Sequence, residues 1–301
     1  MRVFGLVCGS ILLLGCLALA ILLIPPHFQI RRIEPPLPER QAVLEAVATP
    51  GGPVSVGFVN TASQGVPTGS TMAHPAFVLE WPDGRRFLID SGMEREAAVA
   101  FGEPLEWVMG ADPARPHGSV GEQLGLGARR VAGVAFTHLH SDHAGGVASL
   151  CAARDGDLAI FQTPLQADER NHTTDMGYDL LLEAGCGRFE RFGGGPVYLT
   201  PDFPGLVAVA AGGHTPGSTI FFARVADRLW IFSGDITNSR AELEDDLPKQ
   251  ALYSLLIVPE HPERLSALRR WLREWDAEPD TTVVVSHDGE ALEASGIAPL
   301  R

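Results

Sequence analysis

The chain has 301 residues, a formal net charge of -14, 45% hydrophobic residues and 20% charged residues. A chain of this length and composition can bury a large core, so it is not expected to be disordered. It contains a single lysine and no clustered stripe of arginines, which argues against nucleic acid as a partner.

The N-terminus carries an apolar run. Residues 3–24 contain no charge, and these roughly 22 residues are enough to cross a bilayer as a helix. Ala18-Leu19-Ala20 is compatible with a signal-peptidase site, but the apolar run continues past it. We interpret residues 1–24 as an uncleaved membrane anchor, with a cleaved signal segment as the alternative. Basic residues flank the run on both sides and leave its orientation open, although an exported domain, periplasmic or extracellular, is favoured.

A proline-rich segment follows, and then a single domain. Residues 25–53 contain Pro35-Pro36-x-Pro38 and a short helical patch near residues 40–48, which predicts a stiff spacer. Residues 54–301 alternate strand-like runs with helical ones, including an amphipathic helix at residues 262–276. This alternation predicts an α/β fold.

The most informative motif follows the strand-like residues 130–136. It contains His138, His140, Asp142 and His143. Three imidazoles and a carboxylate packed this closely are donors that zinc takes. Because the motif lies on a turn after a strand, its side chains can point to two positions about 3.5 to 4 Å apart, the usual separation in two-metal sites. A histidine-rich solvated loop is the alternative, but the spacing favours a metal site.

Three further candidate ligands each follow a strand-like run, namely His214, Asp235 and His287. Open sheets place their binding sites where strands end and loops begin. Taken singly, His214 or His287 is more often a hydrogen-bonded structural residue. Together with the first motif they complete a set of seven nitrogen and oxygen donors, which two openly coordinated metal ions need.

In this order along the chain, the motifs resemble those of the metallo-β-lactamase superfamily of hydrolases. The resemblance spans about residues 54–287 and includes Asp90, at the end of a strand-like run. It implies a four-layer αββα sandwich with the metals at one edge. It also implies that one metal is held by His138, His140 and His214, the other by Asp142, His143 and His287, and that Asp235 bridges them.

The resemblance further implies that Asp90 orients a ligand or the turn carrying the histidine motif. A simple turn residue is the alternative for Asp90. We expect two zinc ions, and the donor set also suits iron or manganese. Two divalent ions that share a water lower its pKa toward neutrality and hold hydroxide against the substrate, so Asp142 and Asp235 would support catalysis as metal ligands.

The expected activity is hydrolysis of an ester, lactone or thioester of a small substrate. Phosphodiesterase or β-lactamase activity on the same fold is the alternative, and a domain that binds metal or ligand without turnover is the alternative of another class. The bridging Asp235 argues against a β-lactamase, since true β-lactamases of this fold generally lack it. Lactonases of the superfamily often carry a tyrosine shortly after this aspartate, but residues 236–238 contain none and Tyr253 lies too far along the chain to be equated with it, which counts against a lactonase in detail.

A few residues lie outside these motifs. Cys151 and Cys186 form either one disulfide or two separate buried thiols. The acidic residues 242–246 predict a solvated loop, with a pocket rim as the alternative. Trp271 and Trp275 are interpreted as core anchors of the last long helix. Four histidines of the predicted domain match no motif, and only one of them is predicted to be a pocket residue; they are His74, His117, His261 and the pocket candidate His172.

Overall fold

The computed structural model describes residues 15 and 23–300. The predicted anchor, residues 1–24, therefore lies almost entirely outside the described residues. The described residues 23–30 are helical. Within the described part of the chain, no helix combines the length and the apolar character that a bilayer span needs.

The described residues form strands and short helices in alternation. The strands are β1 (Ser55–Gly65), β2 (Thr71–Glu80), β3 (Arg86–Ile89), β4 (Arg115–Pro116), β5 (Val131–Ala135), β6 (Leu158–Gln162), β7 (Gly187–Arg191), β8 (Gly193–Gly194), β9 (Tyr198–Leu199), β10 (Leu206–Ala210), β11 (Thr219–Val225), β12 (Arg228–Phe232), β13 (Thr281–Val284) and β14 (Ala298–Pro299).

The helices are α1 (Arg40–Val47), α2 (Arg95–Met109), α3 (Val120–Leu124), α4 (Ser141–Ala144), α5 (Val147–Ala152), α6 (Pro164–Asp168), α7 (His172–Glu183), α8 (Arg240–Asp245), α9 (Ala251–Leu256), α10 (Pro262–Asp276) and α11 (Gly289–Ala294). Two 3-10 helices, Gly125–Arg130 and Gly234–Ile236, complete the described elements.

The strands make two mixed sheets. Along the first sheet the order is β14-β1-β2-β3-β5-β6-β7, with β4 paired to β1, and along the second it is β13-β12-β11-β10-β9-β8. In the first sheet, β5 pairs in parallel with both β3 and β6, so the carboxyl ends of these strands meet at one edge. In the second sheet, β12 pairs in parallel with β13.

Three apolar clusters show that the sheets pack face to face between two helical layers. The central cluster joins aromatic residues of both sheets, and the rings of Phe77 and Phe232 lie 4.7 Å apart across it. A second cluster packs the outer face of the second sheet against α1 and α10. A third packs the outer face of the first sheet against α3, α5 and α7. The predicted four-layer αββα sandwich is therefore confirmed.

Alternation along the strands explains these layers. In β10, Leu206 and Ala208 belong to the central cluster, whereas Val207 and Val209 belong to the cluster under the helices. All five residues of this strand are buried. A strand covered on both faces is apolar throughout, because successive side chains point to opposite sides of the sheet.

The last long helix and its tryptophans follow the prediction. Helix α10 spans Pro262–Asp276, and the rings of Trp271 and Trp275 lie 5.8 and 5.4 Å from that of Phe222 on the second sheet. The two tryptophans thus anchor the helix to the sheet, as expected for residues four apart on one helical face.

Part of the segment that we interpreted as a spacer is packed on the domain. Val43 and Val47 lie on one face of α1 and are buried against the second sheet. Ile30 and Ile33, which precede α1, are also buried. Apolar side chains four residues apart form a helical face that is more stable out of water, so this segment lies along the sheet and does not extend away from it.

The acidic residues 242–246 do not form a loop, in contrast to the prediction. They lie mostly in α8, which Ser239 caps by accepting a hydrogen bond from the Glu242 amide. Asp246 ends the helix at φ +54° and its carboxylate pairs with the buried guanidinium of Arg269 at 2.8 Å. Partial burial opposes ionisation of Asp246, but hydrogen bonds from Ser266 and Arg269 hold its pKa below the ordinary value.

A disulfide joins Cys151 and Cys186, whose Cα atoms lie 5.5 Å apart. It connects α5 to the turn before β7, on the helical side of the first sheet. Of the two possibilities left open by the sequence, the structure therefore contains the bonded pair.

Candidate metal centre

The predicted ligands converge at one edge of the sandwich because each follows the carboxyl end of a strand. The histidine motif follows β5, which is parallel to its neighbours β3 and β6. In the second sheet, His214, Asp235 and His287 follow β10, β12 and β13, which all run in the same direction. The two sheets thus deliver side chains to the same site, as open α/β sheets do.

The first donor group contains His138, His140 and His214. One side-chain nitrogen from each lies within 4.8 Å of those of the other two. The Nδ1 atom of His140 lies 3.3 Å from Nε2 of His214. The Nε2 atom of His138 is buried without a hydrogen-bond partner. Buried imidazoles that face one another in this way are matched to a cation, since unpartnered buried nitrogens are costly.

The second donor group contains Asp142, His143 and His287. The Nε2 atoms of the two histidines lie 3.3 Å apart, and Oδ2 of Asp142 lies 3.6 Å from His143 Nε2 and 3.5 Å from His287 Nε2. None of the three side chains is more than 8% exposed. These are two nitrogens and one oxygen around a single position, a donor set that suits zinc and other divalent transition metals.

Asp235 lies between the two groups and presents a different oxygen to each. Its Oδ1 atom lies 3.3 Å from His143 Nε2 and 3.2 Å from His287 Nε2. Its Oδ2 atom lies 3.5 Å from Nε2 of His214, in the first group. A carboxylate in this position would be able to bind one cation through each of its oxygens.

Local structure fixes Asp235 in this position. Gly234 precedes it at φ +53°, and a Cβ atom at Gly234 would lie 2.5 Å from the Cβ of Thr137, so only glycine fits. The Ser286 hydroxyl donates to Asp235 Oδ1 at 2.7 Å, and the ammonium of Lys249 donates to the Asp235 backbone carbonyl at 3.0 Å. The chain's own contacts therefore hold Asp235 between the two donor groups.

Three histidines are oriented by acceptors behind them. The Nδ1 atom of His143 donates to Asp90 at 2.9 Å, that of His214 to Glu260 at 2.7 Å, and that of His287 to the backbone carbonyl of Ala73 at 2.8 Å. Because each Nδ1 is bound to an acceptor behind the ring, Nε2 is the atom of each ring that faces the site. Such outer partners are typical of metal-binding histidines.

Asp90 makes these contacts from a left-handed backbone conformation, at φ +63°. One of its oxygens accepts from the Thr137 amide at 2.8 Å, and the other accepts from the Thr137 hydroxyl and His143. A positive φ is unfavourable for a residue with a Cβ atom, so the contacts of its side chain must compensate for the strain. Asp90 thus contacts both the turn and a candidate ligand.

The electrostatics of the site favour ionised carboxylates. Burial would raise the pKa of Asp235, but His287, His138 and Lys249 hold it well below its usual range. Burial lowers the pKa of His140 to about 3, with the neighbouring His214 adding to the effect. In contrast, carboxylates around His143 outweigh its burial and raise its pKa well above the ordinary value. The carboxylates are therefore in the form that binds a cation.

The balance of buried charge also fits divalent cations. Four carboxylates are buried in and around the site, and they belong to Asp90, Asp142, Asp235 and Glu260. Among the described residues, Lys249 is the one lysine or arginine whose side chain contacts these carboxylates. Buried charges are stable only when they are paired or coordinate metals. The structure thus contains His and Asp groups arranged to hold a dinuclear metal site.

His74 is a site residue that the sequence analysis missed. It lies in β2, is 3% exposed, and its Nδ1 atom is 3.3 Å from Asp142 Oδ2. With Asp142 and His287 it forms a third group of potential ligands. Its ring meets that of His287 at 4.9 Å, and on the other side that of Phe101 at 5.2 Å. No local motif marks this histidine, because its neighbours come from other strands.

A second missed set lies around His214. Glu260 accepts from Ser254 at 2.5 Å as well as from His214, and Lys249 lies 3.2 Å from the same carboxylate. Burial alone would raise the pKa of Glu260, but Lys249 and the bond with His214 lower it to about 2. One signal in the sequence could have pointed to this set, namely that Lys249 is the single lysine of the chain.

Tyr253 also lies beside the site, although it is 18 residues after Asp235 in the sequence. Its ring centroid is 5.8 Å from Nζ of Lys249. Burial raises its pKa well above the ordinary value, and the negative charges of Asp235 and Glu260 add to this effect. The phenol is therefore protonated at neutral pH. In contrast, His172, predicted as a pocket residue, begins α7 and belongs to none of the three donor groups.

Comparison with known proteins agrees with this geometry. The profile of the metallo-β-lactamase superfamily matches residues 70–287. No curated protein matches the chain.

Several solved structures share the fold. An N-acyl homoserine lactone hydrolase with N-hexanoyl-L-homoserine at its catalytic metal centre is 16% identical, with a TM-score of 0.59 over 82% of this chain and 98% of that one. A variant of AiiA from B. thuringiensis with N-decanoyl-L-homoserine bound gives the same values. A probable metal-dependent hydrolase from Staphylococcus aureus is 15% identical, with a TM-score of 0.53 over 79% of this chain and 90% of that one.

Proposed function

The chain belongs to the metallo-β-lactamase superfamily of metal-dependent hydrolases, and we propose that it cleaves an ester, lactone or thioester of a small substrate with two bound metal ions. The observation that carries this proposal is the position of Asp235, which presents one oxygen to each of two donor groups. A site for metal storage does not need two openly coordinated ions that share a carboxylate.

The reaction is the addition of water to a carbonyl carbon. The bond from that carbon to the leaving oxygen or sulfur breaks, and the products are a carboxylic acid and an alcohol or thiol. Bound divalent ions lower the pKa of a shared water and polarise the carbonyl oxygen. Zinc suits these donors, and iron or manganese would also fit, since the set contains no thiolate.

The chain's own residues provide the preorganised surroundings. Asp142 and Asp235 are ionised and held in place, and the outer acceptors Asp90 and Glu260 fix the rings of His143 and His214. A site whose side chains need not reorganise during the reaction stabilises the transition state most strongly.

Tyr253 is our candidate for contact with the substrate. Its phenol remains protonated beside the donor groups, so it is available as a hydrogen-bond donor to an oxygen of the substrate. The superfamily's lactonases often place a tyrosine shortly after the bridging aspartate. Here helix α9 returns the chain to the site and supplies a tyrosine from a later position.

Two observations favour carbon–oxygen ester or lactone bonds. One solved structure with this fold holds an N-acyl homoserine at its catalytic metal centre, and another holds one at its active site. The net charge of -14 also disfavours attraction of a polyanionic phosphodiester such as nucleic acid.

We also propose that the domain is exported and membrane-anchored. The uncharged residues 3–24 support an anchor, and the disulfide between Cys151 and Cys186 supports an oxidising compartment. Export of the chain with this disulfide formed would be tested by labelling of intact cells with a membrane-impermeant thiol reagent before and after reduction.

The activity is tested with a substrate panel and the full-length protein in detergent, with its metal content quantified. We expect turnover of chromogenic esters, lactones or thioesters that stops on chelation and returns when zinc is added back. Faster turnover of a chromogenic phosphodiester or of a β-lactam would replace the proposed substrate class. Full turnover after complete metal removal, or none with both ions bound, would contradict the proposal.

A further inference from the structure

An apolar surface lies next to the candidate metal centre. Residues 23–30 and helix α9 expose large apolar side chains side by side, and a hydrogen bond of 3.0 Å joins His27 Nε2 to the Leu255 carbonyl. We call this surface the apolar rim, and its members are Ile24 (51% exposed), Phe28 (61%), Leu252 (69%), Leu255 (54%) and Ile257 (58%). Exposed apolar side chains grouped in this way mark an interaction surface more often than scattered ones do.

Part of the rim is the outer side of helix α9, whose inner side contacts the metal centre. In α9, Leu252 and Leu255 point outward, whereas the Ser254 hydroxyl points inward to Glu260, the partner of His214. Tyr253, the candidate for substrate contact, is adjacent to Leu252 in the sequence. One helical turn therefore separates the exposed surface from the site.

Residues 23–30 also contact the other flank of the site. The Gln29 amide donates to the Glu169 carboxylate at 2.9 Å and to the Arg170 carbonyl at 3.0 Å, just before α7. Helix α7 packs against the loop of the histidine motif, where a Cβ atom at Gly177 would collide with the Leu139 carbonyl. The apolar rim is thus tied to both sides of the centre.

The sequence indicates what covers the rim. Ile24 is both a rim residue and the last residue of the uncharged run 3–24. Phe28 lies one helical turn further on, about 6 Å along the axis. A bilayer that holds the apolar run would therefore reach the rim without any intervening linker.

The charge next to the rim is also suited to a lipid surface. Arg31 and Arg32 follow the helical residues directly, and both are exposed. Their positive charges lie beside the rim in a chain whose overall charge is -14. Arginines at this depth pair with phosphate headgroups while apolar neighbours enter the acyl region.

We infer that the apolar rim rests on the surface of a lipid bilayer and that the metal centre takes amphiphilic substrates, with an acyl chain, from that bilayer. The second half of this inference rests on the proposed function. The first half does not, because it concerns the surface alone. The spacer expected from the sequence would have kept the domain away from the membrane, whereas the packed residues 30–47 keep it close.

The first test maps lipid contact without any need for activity. The full-length chain is reconstituted in phosphatidylcholine vesicles that contain a photoactivatable acyl chain, and adducts are located by mass spectrometry. We expect adducts on Phe28 and α9. Two exposed leucines, Leu126 before β5 and Leu182 near the end of α7, serve as internal controls, because they lie at the opposite ends of the strands. Adducts confined to residues 3–22 would overturn the inference and leave that segment or a second copy as the cover.

The second test compares substrates. The double variant Leu252→Ser/Leu255→Ser is assayed beside the matched control Leu126→Ser/Leu182→Ser, each with a water-soluble acetate ester and with a long-chain ester embedded in vesicles. Two leucines contribute enough apolar transfer energy that we expect the ratio of embedded to soluble rates to fall at least about tenfold in the first variant only. An equal ratio in both variants would overturn the inference. Absence of hydrolysis of either ester, with adducts still on α9, would reject the proposed function and leave the lipid-facing surface established.

Discussion

Replacing Glu260 by glutamine tests whether the outer contacts of the site control metal binding. The carboxylate accepts from His214 at 2.7 Å and from Ser254 at 2.5 Å, and it lies 3.2 Å from the ammonium of Lys249. Glutamine has the same size and can still accept from His214. The change therefore removes the negative charge and leaves the packing intact.

The magnitude follows from those contacts. Hydrogen bonds to a charged group are about twice as strong as neutral ones, so the bonds to His214 and Lys249 should each weaken by about 1 kcal/mol. Loss of such outer partners typically lowers metal affinity by about 10 to 100-fold. In Glu260→Gln, we expect the affinity for the metal held by His138, His140 and His214 to fall by about 10 to 100-fold.

Competition with a chromophoric chelator gives the affinity of each ion, and the matched control is Glu263→Gln. Glu263 lies three residues away and its side chain is 78% exposed. Loss of its charge should leave both affinities unchanged. If Glu260→Gln bound both ions as tightly as the native chain, the carboxylate would have no role in orienting His214.

Three further substitutions test the site and the fold. Asp235→Asn should reduce the metal content from two ions to one and lower kcat by about 100-fold or more, measured by elemental analysis and ester turnover; two retained ions would refute its bridging position. His74→Leu keeps the packing but removes the nitrogen 3.3 Å from Asp142. The metal held by Asp142, His143 and His287 should then bind about tenfold more weakly, while the melting temperature changes little. An unchanged affinity would make His74 a packing residue only. Asp246→Asn leaves Arg269 buried beside a neutral partner and should cost about 2 to 3 kcal/mol of unfolding free energy at neutral pH. Because the folded state lowers the pKa of Asp246 below its ordinary value of 3.8, this stabilisation is complete above that pH and is lost below it, so urea unfolding of native and variant chains should converge in acid.

The ligands that the sequence could predict are those whose positions depend on local order. His138, His140, Asp142 and His143 lie within six consecutive residues, and their spacing alone indicated a metal site. His214 and His287 each follow a strand-like run, and the carboxyl ends of strands collect at one edge of a sheet. In each case the position of the residue after a strand determines where its side chain lies, so the sequence was enough to predict that these side chains are neighbours.

His74 was missed because its role depends on contacts between distant strands. Its neighbour Ala73 accepts from His287, and this contact joins β2 of one sheet to the end of β13 in the other. Nothing near position 74 in the sequence encodes that contact. Glu260 was missed, and Tyr253 was set aside, for a similar reason, since the path of the chain after α8 is set by packing and not by a motif.

The segment predicted as a spacer, residues 25–53, was assigned too little contact with the domain. Prolines at positions 35, 36 and 38 correctly indicated a segment without regular structure there, but they carry no information about what lies alongside. Val43 and Val47 decide its position, because four apart on a helix they make a small apolar face that the second sheet covers. A short amphipathic helix next to a proline-rich stretch is better interpreted as part of the domain.

The buried charges connect the fold to the chemistry. Asp142 and Asp235 are held ionised in a buried site at the meeting point of two sheets, with Lys249 as a compensating ammonium. Such a concentration of negative charge opposes folding unless cations are bound, so metal binding and stability must be coupled. The left-handed backbone at Asp90 and the tight turn at Gly234 also lower the stability of the fold, because both hold strained conformations that place candidate ligands. The candidate metal site is therefore a part of the sandwich that the rest of the fold must stabilise.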